Sequence, residues 1–364
     1  MIFLAITFFL LFILCILLAI QPSLLQPLLS WHPLPHAKLT DSRRPSLGTT
    51  ETKITQDIAP YQFPPLRPKS SSRMAMGLKR LDASNWLTLD SSYLPEHSLR
   101  LSLLESRHAD VIQCLPGSQA SCHEVLDLVT SFLASRFPQH YSLRTTASEP
   151  CIESHLTGEV YPIGEKCENP LEVAARLAME DFNVLIKNQE TREYHLMASA
   201  TLFPAGWKLQ ERIGYSMARL HGPVPAWKEK LGGSVNRYFD HLSSKTAMER
   251  TNLFIQTTTE LFQNAPEDPL ARALTAKDLM VRRERQTFVR LEKTDAVLFT
   301  VRTYMQSMTG LGNEEIRALR SQILGWEEEV RLYKGFAIWG EVLMKWCEEM
   351  VGGVQREAEV KDKE

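Results

Sequence analysis

The 364-residue chain predicts an α+β domain, with helices flanking a mainly antiparallel sheet, preceded by one N-terminal transmembrane helix. Three observations predict it. Gln286–Leu291 and Ala296–Met305 are two runs rich in β-branched and aromatic residues, separated by Glu292-Lys293-Thr294-Asp295, which spells a hairpin. Several other segments repeat apolar residues at helical spacing, and no internal repeat suggests a solenoid. Ile2–Ile20 is an almost unbroken apolar run with Thr7 as its clearly polar residue. At helical rise such a run spans roughly 28 Å, close to the thickness of a bilayer core.

The elements follow in chain order. No Lys or Arg precedes the apolar run and Gln21-Pro22-Ser23-Leu24-Leu25 follows it, so residues 1–21 read as a retained anchor rather than a cleaved signal. The first basic residues, Lys38, Arg43 and Arg44, lie after the run. The positive-inside rule then puts the C-terminal bulk in the cytosol, as in a single-pass protein of the endoplasmic reticulum. Residues 22–75 are rich in Pro, Ser and Thr and read as a flexible tether. The globular domain is expected over 76–351, with a charged tail over 352–364.

Within the domain, Val125, Leu126, Leu128, Val129, Phe132 and Leu133 predict a helix over 124–137. Asn169-Pro170 opens another, with Leu171, Ala174, Ala175, Leu177 and Ala178 on its buried side. Tyr194–Phe203, stopped by Pro204-Ala205-Gly206, reads as a buried strand, and Arg250–Thr258 as a second. In the later hairpin arm Val297, Phe299 and Val301 share one face while Leu298, Thr300 and Arg302 share the other. Residues from Glu314 to about Val351 are helical, with Gly325 and Gly340 as points where the helix would divide.

Composition narrows the function. The net charge of −2 and the absence of a basic stripe argue against nucleic acid as a partner. Six cysteines form no CxxC pair and no zinc spacing. Cys114 with Cys122, or Cys151 with Cys167, would pair in a luminal domain; in the cytosol they are free thiols. There is no GxSxG, GxxxxGK[ST], HExxH or GxGxxG signature, and no glycine-and-cysteine loop of the thiolate-haem type. The segment Leu220-His221-Gly222-Pro223-Val224-Pro225-Ala226-Trp227 stands out, because two prolines forbid regular helix or central strand there. An imidazole on that rigid corner suits metal ligation, with nitrogen rather than sulfur as the donor.

These residues occur in order with Met76-Gly77-Leu78-Lys79-Arg80-Leu81-Asp82 and Trp86, Glu180-Asp181-Phe182, Arg250-Thr251-Asn252, Arg283-Glu284-Arg285-Gln286-Thr287 and Val297–Tyr304. Together they resemble the haem-dependent oxidative N-demethylase family, met in fungi as the HRQ family, over roughly residues 76–346. The resemblance implies a PAS-like antiparallel sheet and haem b held by a histidine. It also implies dioxygen-dependent removal of a methyl group from a small amine as formaldehyde. Bacterial members draw electrons from NADPH through flavin and iron–sulfur modules; this chain has no cysteine quartet or dinucleotide fingerprint, so the resemblance implies a separate NADPH-dependent reductase or ferredoxin-type donor.

Carried onto this sequence, His221 matches the family's His-x-Pro-Val-Pro and is the expected haem and iron ligand, leaving one axial position open for dioxygen. Glu284, Arg302 and Arg237 are the candidate catalytic residues, delivering protons and balancing negative charge near the iron. Against this stand plainer readings: Glu284 and Arg302 as a buried ion pair holding the hairpin, and Arg237 as a solvated helix residue. His195 is a rival ligand in a buried strand, and His241 is expected to be exposed. Asn252-Leu253 stands where bacterial relatives have Asn-Trp, and the segments Cys114–Cys122 and Cys151–Cys167 depart from the pattern. Both departures bear on the substrate more than on the haem. Two other readings share the fold: a PAS-like haem or gas sensor without turnover, and an interaction module that has lost haem.

Overall fold

A computed structural model describes residues 76–146, 149–269 and 272–361, with side chains as far as 350. The anchor expected over 1–21 and the tether over 22–75 lie outside the described residues. Among the described residues no helix is long and apolar enough to cross a membrane.

The chain enters through β1 (Lys79–Arg80), α1 (Tyr93–Ser106), α2 (His108–Val111) and β2 (Ile112–Cys114). There follow α3 (Gln119–Arg136), β3 (Tyr141–Thr146), β4 (Glu149–Ser154), β5 (Val160–Pro162) and α4 (Pro170–Leu177). β6 (Asp181–Lys187) and β7 (Tyr194–Ala200) lead into a long connection carrying α5 (Met217–Leu220), a π-helical turn at Trp227–Gly232 and α6 (Gly233–His241). β8 (Met248–Gln256), β9 (Met280–Arg290) and β10 (Val297–Ser307) precede α7 (Asn313–Leu324), α8 (Glu328–Tyr333) and α9 (Phe336–Lys361).

One seven-stranded sheet runs β1-β8-β9-β10-β6-β7-β2, and its pairs are antiparallel. Counted in chain order from β6, its five central strands lie 2-1-5-4-3. A three-stranded sheet, β3-β4-β5, stands apart from it. The α+β expectation, helices flanking a mainly antiparallel sheet, holds.

The hairpin forms in the register the sequence implies, with Val297 opposite Arg290. Its turn is fixed from outside: the buried Glu124 of α3 accepts from the amides of Lys293 at 2.7 Å and Thr294 at 2.9 Å, and from the Thr294 hydroxyl at 2.8 Å. Both arms run farther than expected, eleven residues each, because β8 continues the ladder down to Gln256↔Met280. Pro170 occupies the first turn of α4 as expected. The strand expected to reach Phe203 stops at Ala200. Asp181, buried on β6, captures the amides of Leu202 and Phe203, both at 3.0 Å, and draws the chain off the ladder.

One face of the sheet packs Leu253, Ile255 and Val281 against Ile316, Leu319 and Ile323 of α7 and Trp339, Leu343 and Cys347 of α9. The spacing of those last three residues puts them on one helical stripe. The long helix expected from Glu314 is divided at Gly325, where α7 ends, and again at Gly335, whose φ of +78° suits glycine. Gly340 does not divide it. A Cβ there would lie 2.5 Å from the Phe336 ring, which is packed edge-on against Trp339 at 5.3 Å. Gly340→Ala is therefore expected to destabilise the domain by about 1–2 kcal/mol, despite the helix propensity alanine adds. A denaturant midpoint checks it; recovery in a Phe336→Ala background identifies the clash as the cause. The tail expected over 352–364 continues α9 as helix to Lys361. The five described cysteines are all free and buried.

Candidate functional site

The face opposite α7 and α9 is defined by register. Met248↔Phe288↔Phe299 and Arg250↔Gln286↔Val301 lie across three adjacent strands, so these side chains and their neighbours Asn252 and Glu284 project together. Phe288 and Phe299 stack at 4.9 Å. The β7–β8 connection crosses this face, and its Met217, Trp227, Val235 and Phe239 pack on Phe288, Val297 and Leu185. Arg250, Asn252, Gln286, Phe299 and Val301 nevertheless stay only part-buried, although their strands sit inside the sheet. The connection thus roofs the face without sealing it, and the partly open strip along these residues is the recess.

His221 hangs at the edge of that roof. It ends the single turn α5, and the chain then makes consecutive turns, with Val224 N–H donating to the His221 carbonyl at 2.9 Å and Trp227 N–H to Val224 at 3.2 Å. Neither helix nor strand forms over Gly222–Pro225, as the two prolines require. The turns bring the Trp227 ring flat onto the imidazole at 3.9 Å and 9°. Nδ1 lies 3.0 Å from the Met217 carbonyl, so it carries the proton and donates. Nε2 has no protein partner among the described residues. Burial pushes the imidazole down to about 4, against the Met217 bond, and the Arg250 and Arg212 charges push it the same way. The result is a neutral histidine with its tautomer fixed and its second nitrogen available, the state a metal ligand needs.

The sign of the linkage is definite. The folded chain holds fewer protons at His221 than the unfolded chain between pH 6.5 and about 4, so this group's contribution to stability is lost as pH falls through that window. Denaturation midpoints between pH 7 and pH 4.5 are expected to fall more in the wild type than in His221→Gln. Equal slopes would contradict this account.

The other sequence candidates separate. Glu284 is on the recess face, where Gln286 donates to it at 2.9 Å and Asn252 at 3.4 Å, with Arg282 Nε at 3.6 Å. Arg302 points from the opposite face. It is 1% exposed and binds Glu96 at 2.8 Å and Asp90 at 3.0 Å, so Glu284 and Arg302 do not form the ion pair that the hairpin alone suggested. Strand alternation puts one at each side of the sheet. Arg237 is exposed on α6, its guanidinium 3.5 Å from Ser234, and does not reach the recess. The Nδ1 of His195 bonds the Gly214 carbonyl at 2.9 Å and its Nε2 lies 3.3 Å from Thr191, which leaves neither nitrogen free. His241 is exposed as expected.

Several residues at the site were not assigned roles from sequence. Trp227 stacks on the ligand candidate. Arg250 projects into the recess, and Arg212 lies over the Trp207 ring at 4.8 Å. Tyr333 of α8, 44% exposed, is near enough to Arg212 and Glu284 for both charges to act on its hydroxyl. An arginine at an apolar-facing position of a strand is the signal that could have drawn attention to Arg250.

Fold and site together define an α+β domain whose central strands lie in the order 2-1-5-4-3, with His221 at the edge of a partly roofed sheet face. The chain matches the family described as "Haem-dependent oxidative N-demethylase, alpha subunit-like" over residues 77–344. It belongs to that family. The match covers the whole sheet, the His221 segment and α7, and ends within α9.

A haem group supplies four of its iron's ligands, so one imidazole is enough to hold it. His221 fits that role: it is neutral, half-buried against an indole and open at Nε2. The rest of the recess fits too, with Phe299, Val301 and Met248 as apolar surface and Arg250 and Arg212 as positive charge.

Proposed function

We propose that the domain is a haem-dependent oxidoreductase of the oxidative N-demethylase type, taking haem b on Nε2 of His221. The observation that carries this reading is His221 itself, whose Nδ1 is committed to the Met217 carbonyl while Nε2 is open, in a chain of this family. When bound, haem would supply dioxygen binding and activation. The 2-1-5-4-3 strand order supports the PAS-like reading of the sheet.

The net reaction converts an N-methylamine, dioxygen, two electrons and two protons to the demethylated amine, formaldehyde and water. Glu284 is the residue best situated to move protons, since it lies on the recess face and its carboxylate is oriented by Gln286 and Asn252. Arg302 holds the opposite face of the sheet together, and Arg237 lies at the surface. The two electrons would come from a separate NADPH-dependent reductase or a ferredoxin-type donor. Attachment to the endoplasmic reticulum membrane through residues 1–21 would keep the domain beside such donors, on the cytosolic side.

The test is formaldehyde release by the full-length, haem-loaded chain supplied with a small methylamine, dioxygen and a reductase or chemical reductant. The expected result is one formaldehyde per methyl group lost, with Glu284→Gln lowering turnover about 100-fold while haem stays bound. Haem binding with no demethylation of any amine by any reductant would favour a sensor without turnover.

A further inference from the structure

Most buried arginines of this domain are matched. Arg100 meets Asp181 at 3.1 Å, Arg285 meets Glu249 at 2.7 Å, and Arg302 meets Asp90 and Glu96. Arg282 binds the Phe203 carbonyl at 2.5 Å and the Leu261 carbonyl at 3.1 Å, and Arg290 binds the carbonyls of Phe239, Leu242 and Asp295. Arg250 breaks the pattern. It projects from β8 into the recess, its Nε is sealed from solvent, and among the described residues it has no hydrogen bond or ion pair, the Glu284 charge acting on it only at longer range. Glu284, on the neighbouring strand, is already engaged by Gln286, Asn252 and Arg282. Arg212, at the same recess, has no side-chain hydrogen bond or ion pair among the described residues either and rests on Trp207.

A part-buried guanidinium with a desolvated Nε and no paired anion is costly, and planar guanidinium forks match carboxylates bidentately. From the unmatched Arg250, with Arg212 beside it, we infer that the His221 recess carries a receptor for the carboxylate groups of its ligand. The inference rests on the reading of His221 as the centre of a ligand site. Arg250 is set on this face by its register opposite Gln286, and Arg212 rests on Trp207, whose ring packs in the same apolar cluster as Trp227; burial pushes both guanidinium groups below their ordinary value. Two sources offer this chemistry. The peripheral propionates of haem b are one, and the carboxylate of an N-methyl amino acid serving as the amine substrate is the other.

The experiment titrates the full-length chain and its Arg250→Gln and Arg250→Met variants with hemin and with hemin dimethyl ester, whose carboxylates are masked, following the Soret band. If propionates are the source, wild type binds hemin at least about tenfold tighter than the ester, and both variants erase that preference. If the substrate is the source, the hemin forms bind alike. N-methylglycine then perturbs the haem-loaded wild type at concentrations about tenfold lower than its methyl ester does, and the variants lose this difference.

Variants that treat both hemin forms and both amines as wild type does overturn the proposal. Denaturant midpoints of Arg250→Met are expected to stay close to wild type, because no hydrogen bond or ion pair of the fold is broken and Glu284 keeps Gln286, Asn252 and Arg282. A large drop would mean a structural role and would also overturn it. Should wild type show no Soret band with either hemin form, the haem reading fails by itself. N-methylglycine quenching of tryptophan fluorescence in the haem-free chain then decides the carboxylate receptor: quenching lost in Arg250→Gln supports it, and no quenching removes it.

Discussion

Replacing Arg302 by alanine is expected to destabilise the folded domain by about 3–5 kcal/mol, the usual cost of removing one partner from a buried ion network. The side chain is 1% exposed and serves five acceptors: Glu96 through both nitrogens, at 2.8 and 3.2 Å, Asp90 at 3.0 Å, Ser92 at 3.1 Å, and the Thr303 carbonyl at 2.5 Å. Its loss strands two carboxylates in a low-dielectric interior. Burial alone would raise Asp90, but Arg302 and Ser92 hold its carboxyl below the ordinary value. The stability from Asp90 is therefore present above pH 3.8 and is lost as pH falls through its depressed folded value. A domain of this size has only about 5–15 kcal/mol in total, so the variant approaches unfolding. Denaturant titration measures the loss. The triple exchange Arg302→Met, Asp90→Asn, Glu96→Gln is expected to recover much of it, since no charge then remains unpaired. A stable Arg302→Ala chain that had lost only turnover would reverse this account and return Arg302 to the reaction.

His221→Ala has the second large effect, on the ligand rather than on the fold. The half-buried ring contributes one hydrogen bond and one stacking contact, together about 1–2 kcal/mol, so the domain should remain folded. Hemin affinity is expected to fall about 100-fold or more, because even the outer partners of a metal ligand are worth 10–100-fold. The Soret band of the wild type should shift on reduction, and that of the variant should be lost or altered. Free imidazole should restore the wild-type spectrum by filling the space beside Trp227. An unchanged spectrum in His221→Ala would assign the ligand elsewhere. His195 is a poor substitute, with one nitrogen on the Gly214 carbonyl and the other beside Thr191.

The local elements were readable where the pattern was strong. The 286–305 hairpin, the Pro170 helix start and the irregular His221 corner all follow from residue types that are close neighbours in the chain. β6 was missed as a strand. Asp181-Phe182-Asn183-Val184-Leu185 is buried on both faces, so it lacks the alternation that marks a half-exposed strand. α1 was missed because its buried positions include His97 and Arg100, which hide the apolar stripe. The end of β7 and the length of β9 were set by partners distant in sequence, Asp181 and β8.

The site divided in the same way. Sequence alone determined that His221 sits on a corner which cannot join a helix or central strand, and that Glu284 and Arg302 lie on β-forming segments. Those features depend on proline geometry and side-chain alternation, which are local. Only the tertiary structure decided which side of the sheet each residue faces and what meets it there. It set Glu284 at the recess and Arg302 among Asp90 and Glu96 behind it, laid Trp227 on His221, and left Arg250 without an internal partner. Pairings across many tens of residues depend on which strands become neighbours and which connection roofs the sheet. Those outcomes come from burying the whole chain at once, and no window of sequence contains them.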